Sequence, residues 1–333
     1  MLDKESQLLT PCPSPSRERG NLDRNAARIL QMLSLATAGA AAQYTPASVR
    51  QAMEDMAQAF DPRDLPAVRA DDWEVPGPGG PLPLRRYAPG IAQADGPGLL
   101  YFHGGMGVFG SVRTHDAVCR MIAAAAPITV LSLDYRLAPE HPFPAALEDA
   151  WAALCWSAAR AAQLGIAPGR LAIGGDSAGA TLAAVTAHRA RDCNGPRLAA
   201  QLLLCPVTDL CAATPSRSEL ADGYFPPAAL LRWALDLYCP PQVDRCDPRL
   251  SPLRAGDLSG LPAAHIHTAQ YDPFRDEGQA YAQALAAAGV TVQAVCHEGL
   301  THHFYGMAGA VPAGRAALES AARALRRTLD AGA

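Results

Sequence analysis

The sequence predicts an α/β fold, a mainly parallel sheet covered by helices, and three observations predict it. Short, continuously apolar runs bounded by turn residues recur along the chain, as strands buried on both faces require. Helical stretches separate these runs, the alternation that builds parallel sheets. Of the 333 residues, 49% are hydrophobic, enough to bury a substantial core. No run of 18 or more apolar residues marks a membrane span. The 28 glycines and 29 prolines suit many turns and fall short of a disordered or collagen-like composition.

Taken in order, residues 1–20, with Pro11, Pro13 and Pro15, read as a flexible tail. Residues 21–60 carry two helical patterns. The second opens at Thr45-Pro46, an N-cap followed by proline at the first helical position, and spaces Val49, Met53, Met56 and Phe60 along one face. Proline and glycine are dense over 61–97, around strand-like pieces at 72–75 and 82–87. Strand runs then follow at 98–102, 128–133, 170–173, 199–205, 264–269 and 290–296. The helical stretches are 114–126, 144–163, 178–191, 274–288 and 314–330. Segment 207–258 breaks the rhythm, being rich in proline and aromatics without a strand pattern. It reads as a cap insertion over the ends of the strands, joined by cap helices from 21–60, with 61–333 as the core. The run 290–296, last in the sheet by sequence order, is expected at an open edge.

A formal net charge of −4 offers no electrostatic reason to expect nucleic acid or an anionic membrane surface. The nine cysteines are scattered, with no C-x-x-C pair and no zinc spacing, so neither a metal site nor a disulfide framework is expected. They read as small buried hydrophobes. Residues 1–20 lack the apolar stretch of a secretory signal, which makes the cytoplasm the expected location.

Chemistry concentrates at strand ends. Gly175-Asp176-Ser177-Ala178-Gly179 follows a strand and opens a helix. A sharp turn there points the serine oxygen away from the sheet, and glycines flank it where side chains would collide. His103-Gly104-Gly105-Met106-Gly107 follows an earlier strand, and its glycines free the amides of Gly104 and Gly105 to face an oxyanion. The His103 side chain reads as structural. A base and an orienting acid must come from later strand ends, where Asp272, His302 and His303 stand. Asp276 and Glu277 are rival carboxylates placed in the next helix, where they would solvate or cap its first turn. Asp176 adjoins Ser177 and leaves no room for a histidine between them. The chain order serine, aspartate, histidine is that of the α/β-hydrolases.

With these motifs the chain resembles the hormone-sensitive-lipase family of bacterial carboxylesterases, esterase family IV. The marks are His103 to Gly105, Asp134-Tyr135-Arg136-Leu137-Ala138-Pro139-Glu140, residues 142–149, Gly175 to Gly179, 272–277 and His302. The resemblance implies an α/β-hydrolase fold with a helical cap, a triad of Ser177, Asp272 and His302, and backbone oxyanion donors at Gly104, Gly105 and Ala178. It implies hydrolysis of short- to medium-chain acyl esters, a small-molecule substrate, no cofactor and no metal. It also suggests a homodimer through the edge strand near 290–296. The chain departs from the family pattern in two places. Met106 stands where a third glycine is usual, followed by Gly107 in place of a large apolar residue, and His303 stands where glycine follows the catalytic histidine.

The remaining histidines, His115, His141, His188, His265, His267 and His297, read as structural or surface residues. Tyr135 and Arg136 serve the loop below the site. Tyr224, Phe225, Trp233 and Tyr238 are candidates for pocket lining or cap packing. Two other activities fit the same residues: amide hydrolysis or acyl transfer through the same acyl-enzyme, and ligand reception without catalysis, which loses a triad member in the plant hormone receptors that resemble this family.

Overall fold

The computed structural model describes residues 8–9, 12–13, 20–37, 44–89 and 95–332. Its strands are β1 (Leu8–Leu9), β2 (Arg69–Gly77), β3 (Gly80–Ala88), β4 (Gly96–Phe102), β5 (Thr129–Leu133), β6 (Ile166–Asp176), β7 (Ala200–Leu204), β8 (Ala263–Tyr271) and β9 (Val292–Thr301). The helices are α1 (Arg24–Thr37), α2 (Pro46–Phe60), α3 (Asp116–Ala125), α4 (Ala145–Ala159), α5 (Ala178–Asp192), α6 (Pro215–Glu219), α7 (Ala228–Tyr238), α8 (Arg275–Ala287) and α9 (Pro312–Ala331).

Among the described residues the strands form one sheet in the order β1-β9-β8-β7-β6-β4-β5-β3-β2. Only the pairings of β3 with β2 and with β5 are antiparallel. Every residue of β4, β5 and β7 is buried, which accounts for their unbroken apolar sequence. Alternate side chains serve opposite faces: Leu99 and Tyr101 of β4 join one core with α3 and α9, while Leu100 and Phe102 join another with α4, α5 and α8. β4 lies between β5 and β6, so the chain leaves it in one direction and returns on the other side. Such a reversal opens a crevice at the carboxyl ends of the strands, where ligands bind in α/β sheets.

Helix α2 begins as the sequence indicates. The Thr45 hydroxyl accepts from the Ser48 N–H at 3.1 Å and Ser48 reciprocates, a capping box ahead of Pro46. Between β7 and β8 the described chain holds α6, α7 and a short 3-10 turn, with no strand. Helices α2 and α7 pack together over the loop that follows β4, burying Val49, Met53, Met106, Val108, Leu230 and Leu235. Arg50 fastens this contact, donating to the carbonyl oxygens of Val108 at 2.9 Å and Ala138 at 3.0 Å while pairing with Glu140.

Two expectations need correction. Strand β9 is not the outermost strand, because β1 pairs with it in parallel at Gln293 and Ala294. The expected tail over 1–20 falls largely outside the described residues; within them, Leu8–Leu9 lies in the sheet and Cys12 is bonded to Cys296. Disulfides also join Cys211 to Cys246, across the segment that carries α6 and α7. These partners are separated by 284 and 35 residues, and the fold rather than any local spacing brings them together. Cys119, Cys205 and Cys239 are buried free thiols, as small apolar residues would be. Alkylation of the unfolded, unreduced protein should therefore label five of the nine cysteines, and reduction beforehand should raise the count to nine, read by intact mass. Nine labels without reduction would show that neither bond forms.

Candidate active site

Ser177 sits at the junction of β6 and α5 with φ 52° and ψ −123°, a backbone conformation that L residues rarely adopt. Its N–H donates to the Leu204 carbonyl oxygen at 2.8 Å, tying the turn to β7. A Cβ placed on Gly175 or on Gly179 would collide with the Phe102 carbonyl oxygen, so glycine at both positions lets the end of β4 press against the turn.

Strand register delivers the other two groups. Tyr271 of β8 stands opposite Thr301 of β9, so the residues that follow, Asp272 and His302, leave the sheet side by side. His302 Nδ1 lies 2.8 Å from Asp272 Oδ2, and its Nε2 lies 3.0 Å from Ser177 Oγ. Asp272 Oδ1 accepts the Phe274 N–H at 2.8 Å, which fixes the carboxylate. Asp272, His302 and Ser177 are 0%, 3% and 6% exposed, so water competes little for these bonds. A carboxylate can only accept; Nδ1 therefore carries the proton, and Nε2 is left to take one from the serine hydroxyl.

The loop after β4 brings Gly104 to the same place, where a Cβ would lie 3.2 Å from the Ser177 Cβ. Gly105 has φ 118°, and any side chain there would strike the Phe109 carbonyl. The N–H groups of Gly104, Gly105 and Ala178 donate to no acceptor among the described residues, which leaves them for an oxygen bound beside Ser177. Ser177 and His302 floor a cavity of about 20 Å³, walled by Met53 of α2, Met106, Phe225 and Leu230 of α7. That space admits about one water.

The rival carboxylates lie elsewhere and are structural. Asp276 accepts the Ser216 N–H at 2.8 Å. Glu277 does not solvate its helix: it is 1% exposed, accepts the Thr208 N–H at 2.9 Å and pairs with Arg217 at 2.6 Å. Burial pushes its carboxyl up to about 7 against the pull of Arg217. His103 is structural as expected, held with Nδ1 2.8 Å from the Gly104 carbonyl oxygen and its ring stacked 4.3 Å from Tyr135. Burial, with His115 nearby, pushes its imidazole down to about 4. The Tyr135 hydroxyl donates to the His103 carbonyl oxygen at 2.7 Å, and Arg136 pairs with the buried Asp149, so both support the loop. Among the aromatics, Phe225 lines the Ser177 cavity, while Tyr224 stacks on Tyr271 and Trp233 packs on Tyr44.

Two features escaped the sequence. Asp176 and His115 form a fully buried pair beneath Ser177, Oδ2 to Nε2 at 3.3 Å, while the other carboxylate oxygen accepts from the Tyr101 hydroxyl at 2.7 Å. Burial favours neutral forms of both, but their mutual charge and hydrogen bond prevail; Asp176 is brought down to about 2 and His115 is raised. His303 has φ 65° and ψ 21°, a left-handed conformation in which glycine is unstrained, and it lines the cavity beside His302. Burial drives its imidazole down to about 3, with His115 adding to the effect. Among the described residues, two trios bring metal-ligating atoms together: Cys205, Asp272 and His302, and Cys211, Asp244 and Cys246. In the first, His302 already bonds Asp272 and Ser177; in the second, both sulfurs are in a disulfide.

The family whose pattern matches residues 99–306 is described as having the alpha/beta hydrolase fold. Esterase LipI of Mycobacterium tuberculosis (strain ATCC 25618 / H37Rv) is 45% identical over 293 residues, 85% of this chain and 88% of the relative. Carboxylesterase NlhH of Mycobacterium tuberculosis (strain CDC 1551 / Oshkosh) is 42% identical over 275 residues, 81% and 86% of the two chains. An α/β hydrolase enzyme from the metagenome of Lake Arreo, Spain, superposes with a TM-score of 0.89 at 38% identity, covering 94% of this chain and 100% of its own.

Removing one member of the buried pair leaves the other charge without its partner. Asp176→Asn should cost about 3–5 kcal/mol of unfolding free energy in urea, whereas a loss under 1 kcal/mol would mean that the pair is not ionised. Acid acts through other groups. His103, His188, His265 and His297 are pushed down to about 4 and His303 to about 3, chiefly by burial. Below pH ~6.5 the unfolded chain binds protons that these five folded histidines refuse, so stability should fall towards pH ~4. Glu277, raised to about 7, and Asp61, raised to about 6, oppose that fall in part, and the raised His115 gives up its contribution as the pH rises above ~6.5. The contribution of Asp176 is full above pH ~4 and is lost as the pH falls towards 2.

Proposed function

This chain belongs to the hormone-sensitive-lipase family of α/β-hydrolase carboxylesterases, and on that premise we propose that it hydrolyses short- to medium-chain acyl esters through an acyl-enzyme on Ser177. The observation that carries the reading is the unbroken hydrogen-bonded line from Asp272 through His302 to Ser177, buried beside three unengaged backbone N–H groups.

Substrate binding places the ester carbonyl carbon against Ser177 Oγ and its oxygen towards the N–H groups of Gly104, Gly105 and Ala178. As Oγ attacks, His302 Nε2 takes the hydroxyl proton, and Asp272 stabilises the resulting imidazolium. The carbonyl oxygen gains negative charge beside these unengaged amides, which are held in place by the fold, so little reorganisation is needed. The same proton passes from Nε2 to the departing alcohol, leaving acyl-Ser177. A water then gives its proton to Nε2, attacks the acyl carbon and releases the acid, and Ser177 recovers its proton from His302. No step calls on a cofactor.

The helices α1 and α2 with the segment around α6 and α7 form the cap in this reading, and α2 and α7 supply the side chains that close over Ser177. No homodimer through 290–296 is proposed, because β1 already occupies that edge at Gln293 and Ala294. No helix among the described residues is long and apolar enough to cross a membrane. The cytoplasmic location expected from the sequence stands beside two disulfides, which persist mainly in oxidising compartments; alkylating the protein as it leaves the cell decides between the two.

Kinetics on p-nitrophenyl butyrate test the assignment. Ser177→Ala and His302→Ala should each lower kcat by about 10⁴–10⁶ while the thermal midpoint stays within a few degrees. His303→Gly, which suits the left-handed backbone at that position, should keep activity within about tenfold. A larger loss at His303 than at His302 would reverse the choice of base, and a Ser177→Ala protein with a tenth of the parent activity would exclude Ser177 as nucleophile.

A further inference from the structure

Met106 lies between two buried spaces. On one side is the cavity of about 20 Å³ above Ser177 and His302. On the other, beneath α7, is a second cavity of about 30 Å³ lined by Ala178, Thr181, Leu182, Val207 and Leu235. Met106 is the one described residue that borders both. The second lining is mostly apolar: the Thr181 hydroxyl donates to the Val207 carbonyl oxygen, the Tyr135 hydroxyl to the His103 carbonyl oxygen, and Arg249, its one charged residue, pairs with Asp247. Gly107 makes room for the far wall: at φ 69°, a Cβ there would stand 2.5 Å and 2.6 Å from carbons of the Tyr238 ring. The exchange of a small residue and a large one at 106 and 107 therefore blocks the near end of this space and admits Tyr238 at its far end.

Ala178 belongs both to the oxyanion-binding group and to the second lining. An acyl group on Ser177 whose oxygen faces Ala178 thus lies next to the second cavity, with Met106 on the border between the two. Resting on the esterase reading above, we infer that Met106 is an acyl-length gate. In place, its side chain stops the acyl chain after a few carbons; swung aside or removed, it joins the two cavities into one apolar channel. Three rotatable bonds let methionine move in this way, so medium chains enter by displacing it and short ones without doing so.

The test is a kcat/KM series on p-nitrophenyl esters from acetate to decanoate, run on the parent, Met106→Ala, Met106→Gly, Val207→Phe and the double variant Met106→Ala with Val207→Phe. Losing Cγ, Sδ and Cε makes room for about three methylenes, and each methylene buried is worth about fourfold in kcat/KM. The octanoate-to-acetate ratio should rise by about tenfold or more in both Met106 variants, and Val207→Phe should return it towards the parent value by refilling the second cavity. A ratio within about twofold of the parent in the Met106 variants, or an equal loss at every chain length, would overturn the gate. If the Met106 variants do not fold, Val207→Phe alone decides: a lowered ratio supports the channel and an unchanged one overturns it. A parent protein that cleaves no ester at any length would instead refute the esterase reading, whereas acetate hydrolysis with unmoved ratios refutes the gate alone.

Discussion

Holding a serine at φ 52° costs on the order of 1–3 kcal/mol, and a residue keeps such a conformation only where its surroundings over-determine it. At Ser177 they do. The N–H is bonded to β7, the preceding residue is the last of β6, the following one starts α5, and glycines at 175 and 179 let β4 close against the turn. From this one constraint follow the projection of Oγ off the sheet, the free amide of Ala178 and the 3.0 Å approach to His302. The fully buried strands β4, β5 and β7 supply the rigidity that keeps the turn from relaxing.

The second support is electrostatic and lies underneath. Asp176, which precedes the serine, is anchored by His115 and by the Tyr101 hydroxyl, so the turn is fixed through its side chains as well as its backbone. Against Gly104, too, the Asp176 carboxylate leaves no space for a Cβ, which sets how closely the oxyanion loop approaches. Two His–Asp pairs thus flank Ser177 with different duties. His302 touches the hydroxyl and can move its proton, whereas His115 is bonded to Asp176 and Thr114 and holds the frame.

The alternation of apolar runs and helices was readable because each strand is buried on both faces and each helix covers it locally. The order of Ser177, Asp272 and His302 was readable because each follows a strand directly, and register then joins them. His303 shows where neighbouring residues of one type stay ambiguous: the left-handed backbone that separates its position from that of His302 leaves no trace in its own identity. Glu277 was misread because an acid in the first turn of a helix normally meets solvent, and its partner Arg217 lies 60 residues away. Long-range pairing also hid the disulfides and the short strand β1, whose two residues reach β9 from the other end of the chain.

Every step of the proposed reaction depends on Ser177 Oγ becoming covalently acylated. The most direct measurement is labelling with an organophosphonate, which traps an activated serine, followed by peptide mass spectrometry alongside residual esterase activity. One adduct per chain is expected, on the peptide containing Ser177, with activity falling in proportion to labelling and no adduct on Ser177→Ala. Adduct formation at another residue, or full hydrolysis after complete labelling of Ser177, would contradict it.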